Sequence, residues 1–339
     1  MKLLIVTQIV DTEDPVLGFF SRWIEEFAKR TVRLEVICLK EGKHHFPKNV
    51  SIHSLGKERP PRFARRAIYA ARFLKLAWRL RGNYDAVFVH MNPEYLVLAG
   101  WLWRLFGKPT ALWYTHKRAD IKLRIALLWA NKVLTASKES FRMQSSKLQV
   151  MGHGVEFPVV THQADQAQLR ILTIGRVSRT KRINEMIAAL DVLHEQGIVF
   201  SFTVVGAPVT TEDKAYEQSL QEARAQKPYK DAIRFIGPVP HRDLAIYWSR
   251  ADVFVNLSAT GSLDKAALEA VGAGIPLVTS NIALRELTPT ALFVQDISPQ
   301  TIAKALTQAS NEDIGKYVVE VKEKHSLTSL IPRILISFS

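Results

Sequence analysis

At 339 residues the chain is too long for one ordinary hydrophobic core, so two domains of roughly 150 residues each are expected, and its 47% apolar content without low-complexity tracts describes a globular protein. A single cysteine, Cys38, excludes an internal disulfide and a four-cysteine metal site and fits a reducing cytosolic compartment. The net charge of +14 lies wholly in one half, because residues 1–160 hold 27 Lys and Arg against 13 Asp and Glu while residues 161–339 hold 19 of each; a basic half suits RNA, an anionic membrane or an anionic substrate, whereas a neutral half need only fold and bind something small.

The opening MKLLIVTQIVDTEDP has one lysine and too short an apolar run for a signal peptide, and it reads as a first buried strand. The first half then alternates strands with helices: KLLIVT and a helix over 16–31; RLEVICL and 61–81; YDAVFVH and 93–106; PTALWYT and 120–130; KVLTAS and 138–144. No window reaches the roughly 18 uncharged apolar residues of a membrane span; YLVLAGWLWRLFG comes nearest and is interrupted by Arg104. The second half repeats the rhythm with LRILTIG and 183–197; FSFTVVG and 211–227; IRFIG and 241–250; DVFVNL and 265–273; PLVTS; and a weak strand at ALFV. Beyond residue 298 the pattern is helical, and HSLTSLIPRILISFS is too apolar for a solvated tail, so it is expected to pack on a domain surface. Repeated βαβ patterns predict an α/β protein with two doubly wound, Rossmann-like parallel sheets. The aperiodic stretch at 151–168 is the hinge, giving domains over 1–158 and 159–325 and a terminal helix over 326–339. Open α/β sheets bind ligands at strand carboxyl ends, so the active site is expected in a central cleft that the two sheets face.

Two stretches concentrate polar chemistry. In LTIGRVSRTKR a strand ends at Gly175, and Arg176, Arg179, Lys181 and Arg182 follow before a helix begins near Ile183. Cations and free backbone N–H groups at such a junction hold a small anion, a diphosphate above all; the same loop also reads as a solvated basic turn that starts a helix. In NLSATGSLDKAALEAVGAGIP, Ser258, Thr260, Gly261 and Ser262 make a loop of little bulk that lets a ligand approach the backbone. Asp264 is placed to cap the next helix. Lys265 stands in its first turn, where the macrodipole disfavours a cation unless an anion is near. Glu269, set among small apolar residues, needs hydrogen-bond donors such as a diol or amides.

GRVSRTK and GSLDKAALEAVGAGIPLVT resemble the group 1 glycosyltransferases of the GT-B fold. The resemblance extends over nearly the whole chain, through LIVTQIVDTEDPVLGFFSRWIEEFA, GHGVEF and the terminal helix, which is similar to the family's crossover helix back to the first domain. It implies that Arg176 and Lys181 hold the diphosphate of a nucleotide-sugar, that Glu269, the second Glu of the family's Glu-x7-Glu motif, binds the ribose, and that His116 lies close to donor sugar and acceptor. Gly18 then lets the first helix approach the donor phosphates. The resemblance further implies transfer with retention, the donor phosphate accepting the acceptor's proton, and no resident cofactor. The family's first Glu contacts the donor sugar, but Gly261 stands there, so sugar recognition would pass to the backbone of Gly261, Ser262 and Leu263 with help from Asp264 and Lys265. His90, at the end of VFVH with Glu94 after it, is a candidate on the acceptor side. There is no Asp-x-Asp, and His44 and His45 have no clustered carboxylates, so metal-independent chemistry is expected.

From Arg59 to Gly82 there are eight cations and no acid, interleaved with Phe63, Tyr69, Phe73 and Trp78. On a helix, Arg62, Arg65, Arg66, Arg72, Lys75 and Arg79 share one broad arc. Basic residues beside an anionic leaflet contribute about 1 kcal/mol each, so the run predicts a protein held peripherally at the inner face of the membrane, though it also reads as a solvated face on a core helix. The resemblance, many of whose members act on lipid-linked or membrane-bound acceptors through their first domain, implies a cytoplasmic enzyme with a lipid-linked saccharide, glycolipid or other cell-envelope glycan as acceptor. An RNA-binding protein would also be basic, but no RNA module is recognisable and nucleic acid is not the expected partner. A dinucleotide oxidoreductase lacks its G-x-G-x-x-G after the first strand. An inactive nucleotide-sugar-binding protein is the remaining alternative, because of Gly261.

Overall fold

Runs of Val, Ile and Leu without alternation fold as strands covered on both faces, and this chain carries two sets of them. They are seen in a computed structural model that describes all residues except 15, 60–62, 117–118, 162–166, 260, 262 and 339, and all their side chains except that of Arg242. Arg62 and Ser262, both expected site residues, lie outside the described residues, as does Thr260. The chain divides into two units, Met1–Gly154 with Leu327–Ser339, and Val155–Ser326.

The first unit is a parallel sheet of β1 (Lys2–Val10), β2 (Arg33–Glu41), β3 (Val50–Ser54), β4 (Ala86–His90), β5 (Thr110–Trp113), β6 (Lys132–Thr135) and β7 (Leu148–Val150), in the order β3-β2-β1-β4-β5-β6-β7. Helix α1 (Phe20–Ala28) joins β1 to β2; α2 (Arg65–Arg79), α3 (Glu94–Leu105) and α4 (Ile121–Trp129) follow β3, β4 and β5. One core lies under α2, α3 and α4 around Phe73, Leu96 and Trp103; the other lies under α1, around Phe20, Trp23 and Phe27. Into the second core comes the C-terminal helix Leu327–Ile336, which packs on α1 through Leu327, Leu330, Ile331 and Ile334. Gly154 lies under this contact, where a Cβ would stand 2.6 Å from the Trp23 ring and 2.9 Å from Leu330. Each such buried side chain contributes about 1.5–3 kcal/mol.

Several elements differ from expectation. The first helix begins at Phe20 because the Asp14 carboxylate accepts from the N–H groups of Val16 and Leu17 at 3.0 and 2.8 Å, which fixes a turn there. The helix expected over 138–144 is a single 3₁₀ turn, Lys138–Ser140. The edge strands β3 and β7 went unforeseen, and ALFV supplies only one bridge, Phe293 to Thr279.

The second unit orders β8 (Leu169–Ile174), β9 (Phe200–Val205), β10 (Ile233–Gly237), β11 (Val253–Asn256) and β12 (Leu277–Thr279) as β10-β9-β8-β11-β12, all parallel. Helices α5 (Ile183–Glu195), α6 (Thr211–Ala225), α7 (Ala245–Arg250), α8 (Lys265–Gly272), α9 (Pro299–Gln308) and α10 (Gly315–His325) connect and cover them. The strand order reverses between β1 and β4 in the first unit and between β8 and β11 in the second. Such switch points open a crevice at the carboxyl ends of the strands, which directs attention to the loops after these four.

Candidate functional site

In the second unit β8 is followed by Gly175, whose φ of +145° excludes an ordinary side chain. Gly206, just after β9 at φ +138°, lies so close that a Cβ on it would overlap the Gly175 carbonyl. The chain then turns through the 3₁₀ segment Arg179–Lys181 into α5, with Arg182 left-handed at φ 55°. Lys181 folds back over Gly175 and its ammonium pairs with the Asp264 carboxylate. Asp264 caps α8 as foreseen, accepting from the Ala266 N–H at 3.0 Å, and also accepts from Asn256 Nδ2 at 2.9 Å. The Ala259 N–H donates to the Thr180 carbonyl at 3.0 Å, tying the two loops together. Arg176 is half exposed, with its Nε 3.7 Å from Asp213, whose carboxylate completes the capping box of α6.

Helix α8 buries Ala267, Leu268, Glu269, Ala270, Val271 and Gly272. Its small residues let neighbours approach: a Cβ at Gly272 would enter the Phe157 ring. Glu269 is 6% exposed and accepts from His241 Nε2 at 3.0 Å. That hydrogen bond raises the His241 pKa, against desolvation, with the charges of Glu269 and Glu156 adding and that of Lys265 opposing. Burial lowers the Lys265 pKa, with Glu269 opposing. Gly261 adopts φ +60°, a left-handed conformation that favours glycine, and Leu263 is half-buried. Because the folded-state pKa of His241 is raised, the stability it adds is fully present below the ordinary histidine value of about 6.5 and is lost as pH rises through the raised value. His241→Gln should therefore melt below wild type at about pH 5.5 and converge on it by about pH 9. A deficit that does not change with pH would sink this assignment.

In the first unit the carboxyl ends of β1, β4 and β5 and the segments after them form an open pocket of about 320 Å³ lined by Gln8, His90, Asn92, Glu94, His116 and Asp120, among others. His116 and the pair His90 and Glu94, expected at the ends of neighbouring strands, thus share one pocket. His90 is buried, its Nδ1 3.2 Å from Thr7 Oγ1 and its ring stacked on Phe20 at 3.9 Å. Glu94 accepts from Lys122 at 2.8 Å, Gln8 donates to Asn92 at 3.0 Å, and Met91 is left-handed at φ 65°. Gly18 has a steric reason to be glycine, since a Cβ would meet the Asp14 carbonyl at 2.6 Å. Among the described residues, no group of three or more His, Cys, Asp or Glu comes together as a metal site.

Two Rossmann-like units, the second with a Gly-Arg loop facing a short polar loop at its switch point, define a GT-B glycosyltransferase fold. Residues 159–324 belong to the group 1 glycosyltransferases, matching the family model described as Glycosyl transferases group 1. The chain is 26% identical over 170 residues to the amylovoran biosynthesis glycosyltransferase AmsK of Erwinia amylovora, covering 48% of this chain and 39% of that one. To the putative colanic acid biosynthesis glycosyltransferase WcaL of Escherichia coli (strain K12) it is 25% identical over 224 residues, covering 61% and 52%. The chain thus spans about two fifths to one half of the length of these curated relatives. The crystal structure of Anabaena Alr3699/HepE in complex with UDP superposes with a TM-score of 0.71 at 16% identity over 99% of both chains, a likeness of fold.

Proposed function

We propose that this protein transfers a sugar from a nucleotide-sugar to a glycan or glycolipid acceptor of the cell envelope, with retention and without a metal. The observation that carries the reading is the Lys181–Asp264 pair, which ties the loop after β8, bearing Arg176 and Lys181, to the start of α8, the helix of Glu269, beside the switch point between β8 and β11. Arg176 and Lys181 meet the diphosphate and stabilise the charge that develops on it as the glycosidic bond breaks. Glu269 takes the ribose hydroxyls, and the loop at Gly261, Leu263, Asp264 and Lys265 surrounds the sugar. His116, His90 and Glu94 face the acceptor from the pocket of the first unit, and Gly18 admits the start of α1 to the donor phosphates. The names of the relatives, for amylovoran and colanic acid biosynthesis, support the acceptor class. Thermal stabilisation by a panel of UDP-, GDP- and ADP-sugars, followed by turnover with the nucleotide that binds, tests the reading; stabilisation by none of them would overturn it.

The acceptor is lipid-linked in this reading, and the protein works peripherally at the inner face of the membrane. Among the described residues no helix is long and apolar enough to cross a membrane. The first unit nonetheless exposes a mixed face. Helix α2 presents Arg65, Arg66, Lys75, Arg79 and Trp78; α3 presents Trp101, Arg104 and Leu105; α4 presents Ile121, Lys122, Arg124, Ile125 and Leu128. These helices pack side by side, and Arg81 lies 4.6 Å over the Trp78 ring, itself edge-on to Phe106. Cations that reach headgroups beside apolar groups that enter the acyl boundary are what an interfacial surface requires. Arg72 departs from this pattern, since its guanidinium donates to the Leu55 carbonyl at 2.7 Å. Reversing Arg65 and Arg66 to Glu should lower partitioning onto anionic liposomes roughly thirty-fold or more, from about 1 kcal/mol per lost cation. Unchanged pelleting would place the membrane elsewhere.

A further inference from the structure

We propose that Asp264 is a resident counter-anion for Lys181, which a donor's diphosphate must displace before it can be held. The inference rests on the donor-site reading above. The Lys181 ammonium and the Asp264 carboxylate are paired, and their side chains are only 19% and 18% exposed, so solvent screens the pair weakly. The oxygen that takes Lys181 also accepts from Asn256 Nδ2 at 2.9 Å, and the other oxygen accepts from the Ala266 N–H at 3.0 Å. Asn256 is buried and is itself fixed, accepting from the Ser258 N–H at 3.2 Å. The carboxylate is thus anchored by two groups that stay in place when Lys181 leaves. The lysine is the moving partner, on the flexible end of its side chain over Gly175.

Asp264 then has two effects on an arriving diphosphate: it occupies the cation, and it remains behind as a nearby like charge. The first costs either ligand the same; the second weakens a free nucleoside diphosphate more than a nucleotide-sugar, because the free product carries one more negative charge. Asp264 therefore tunes the site toward release of the product.

The test is Asp264→Asn, in which the amide oxygen still caps α8 while the charge is gone. Calorimetric titration with UDP, GDP and ADP should show the nucleotide that binds wild type binding Asp264→Asn roughly ten-fold tighter, the scale of one charge-assisted hydrogen bond, with a steeper dependence on ionic strength. In a Lys181→Ala background the same substitution should tighten binding by clearly less, a difference that a merely structural role would not produce. Unchanged or weaker binding by Asp264→Asn, with a melting temperature equal to wild type, overturns the counter-anion role and leaves the donor site standing. Binding of no nucleotide by either protein overturns the donor site, and the inference with it.

Discussion

Arg176→Ala and Lys181→Ala should each lower turnover on the nucleotide-sugar about 10²–10³-fold, the cost of removing one preorganised group aimed at developing charge. Lys181 should show the larger loss, because it is enclosed over Gly175 where solvent cannot replace it, whereas Arg176 is half exposed. Glu269→Ala differs in kind. Its loss would remove the proposed ribose contact equally from bound donor and transition state, so KM should rise roughly ten- to hundred-fold with kcat less affected. Steady-state kinetics on the three variants separates the two behaviours. Equal falls in kcat for all three would mean that Glu269 serves the reacting centre and not the nucleoside. Wild-type rates in Arg176→Ala and Lys181→Ala would remove the diphosphate from this loop.

The second large effect concerns stability. Gly206→Ala forces a Cβ against the Gly175 carbonyl at a φ of +138° that L-residues avoid. Backbone is the obstacle, so no rotamer relieves it, and the cost should be roughly 3–5 kcal/mol. For a unit of this size that corresponds to a fall in melting temperature of about 6–20 °C. Gly197→Ala is the control, because Gly197 is also left-handed, at φ +71°, but a Cβ there meets nothing within 4 Å; it should cost only about 1 kcal/mol. Similar losses in the two variants would show that backbone conformation alone, without the contact of Gly206 on Gly175, sets the cost.

Most of the fold was legible because both sheets are buried on both faces, and their strands appear as unbroken apolar runs between turn residues. The two strands that were missed lie at the sheet edges. VSIHS and LQV are only partly buried, so neither run carries the apolar density that marks β1 or β4. Within the candidate site, cations and carboxylates were recognisable from their places at strand ends and helix starts. Their partners were not. Lys181 and Asp264 stand 83 residues apart, and Glu269 meets His241 from 28 residues away; spacing says nothing about pairs made only when β8, β11 and the segment before α7 come together. Gly206 did leave a signal, a glycine ending an apolar run, but the reason for it lies in a neighbouring strand. Gln8 and Asn92 left none, being ordinary polar residues until β1 and β4 lie side by side.

The first unit is not a continuous piece of chain. Its core beneath α1 is completed by Leu327–Ile336, while Val155–Ser326 forms a unit of its own. A ribosome therefore releases all of β1 to β7 well before the helix that shields Phe20, Trp23 and Phe27 exists, and that face of α1 must wait while the entire second unit is made and folds. Domains generally fold in the order of synthesis; here the first to emerge is the last to finish. The loop-closure entropy of bringing the final helix home is set by the compact second unit and not by a floppy tether of that length. A nascent chain paused before Leu327 should recruit chaperones to α1, and a fragment ending at Ser326 should carry a well-folded second unit beside an aggregation-prone first.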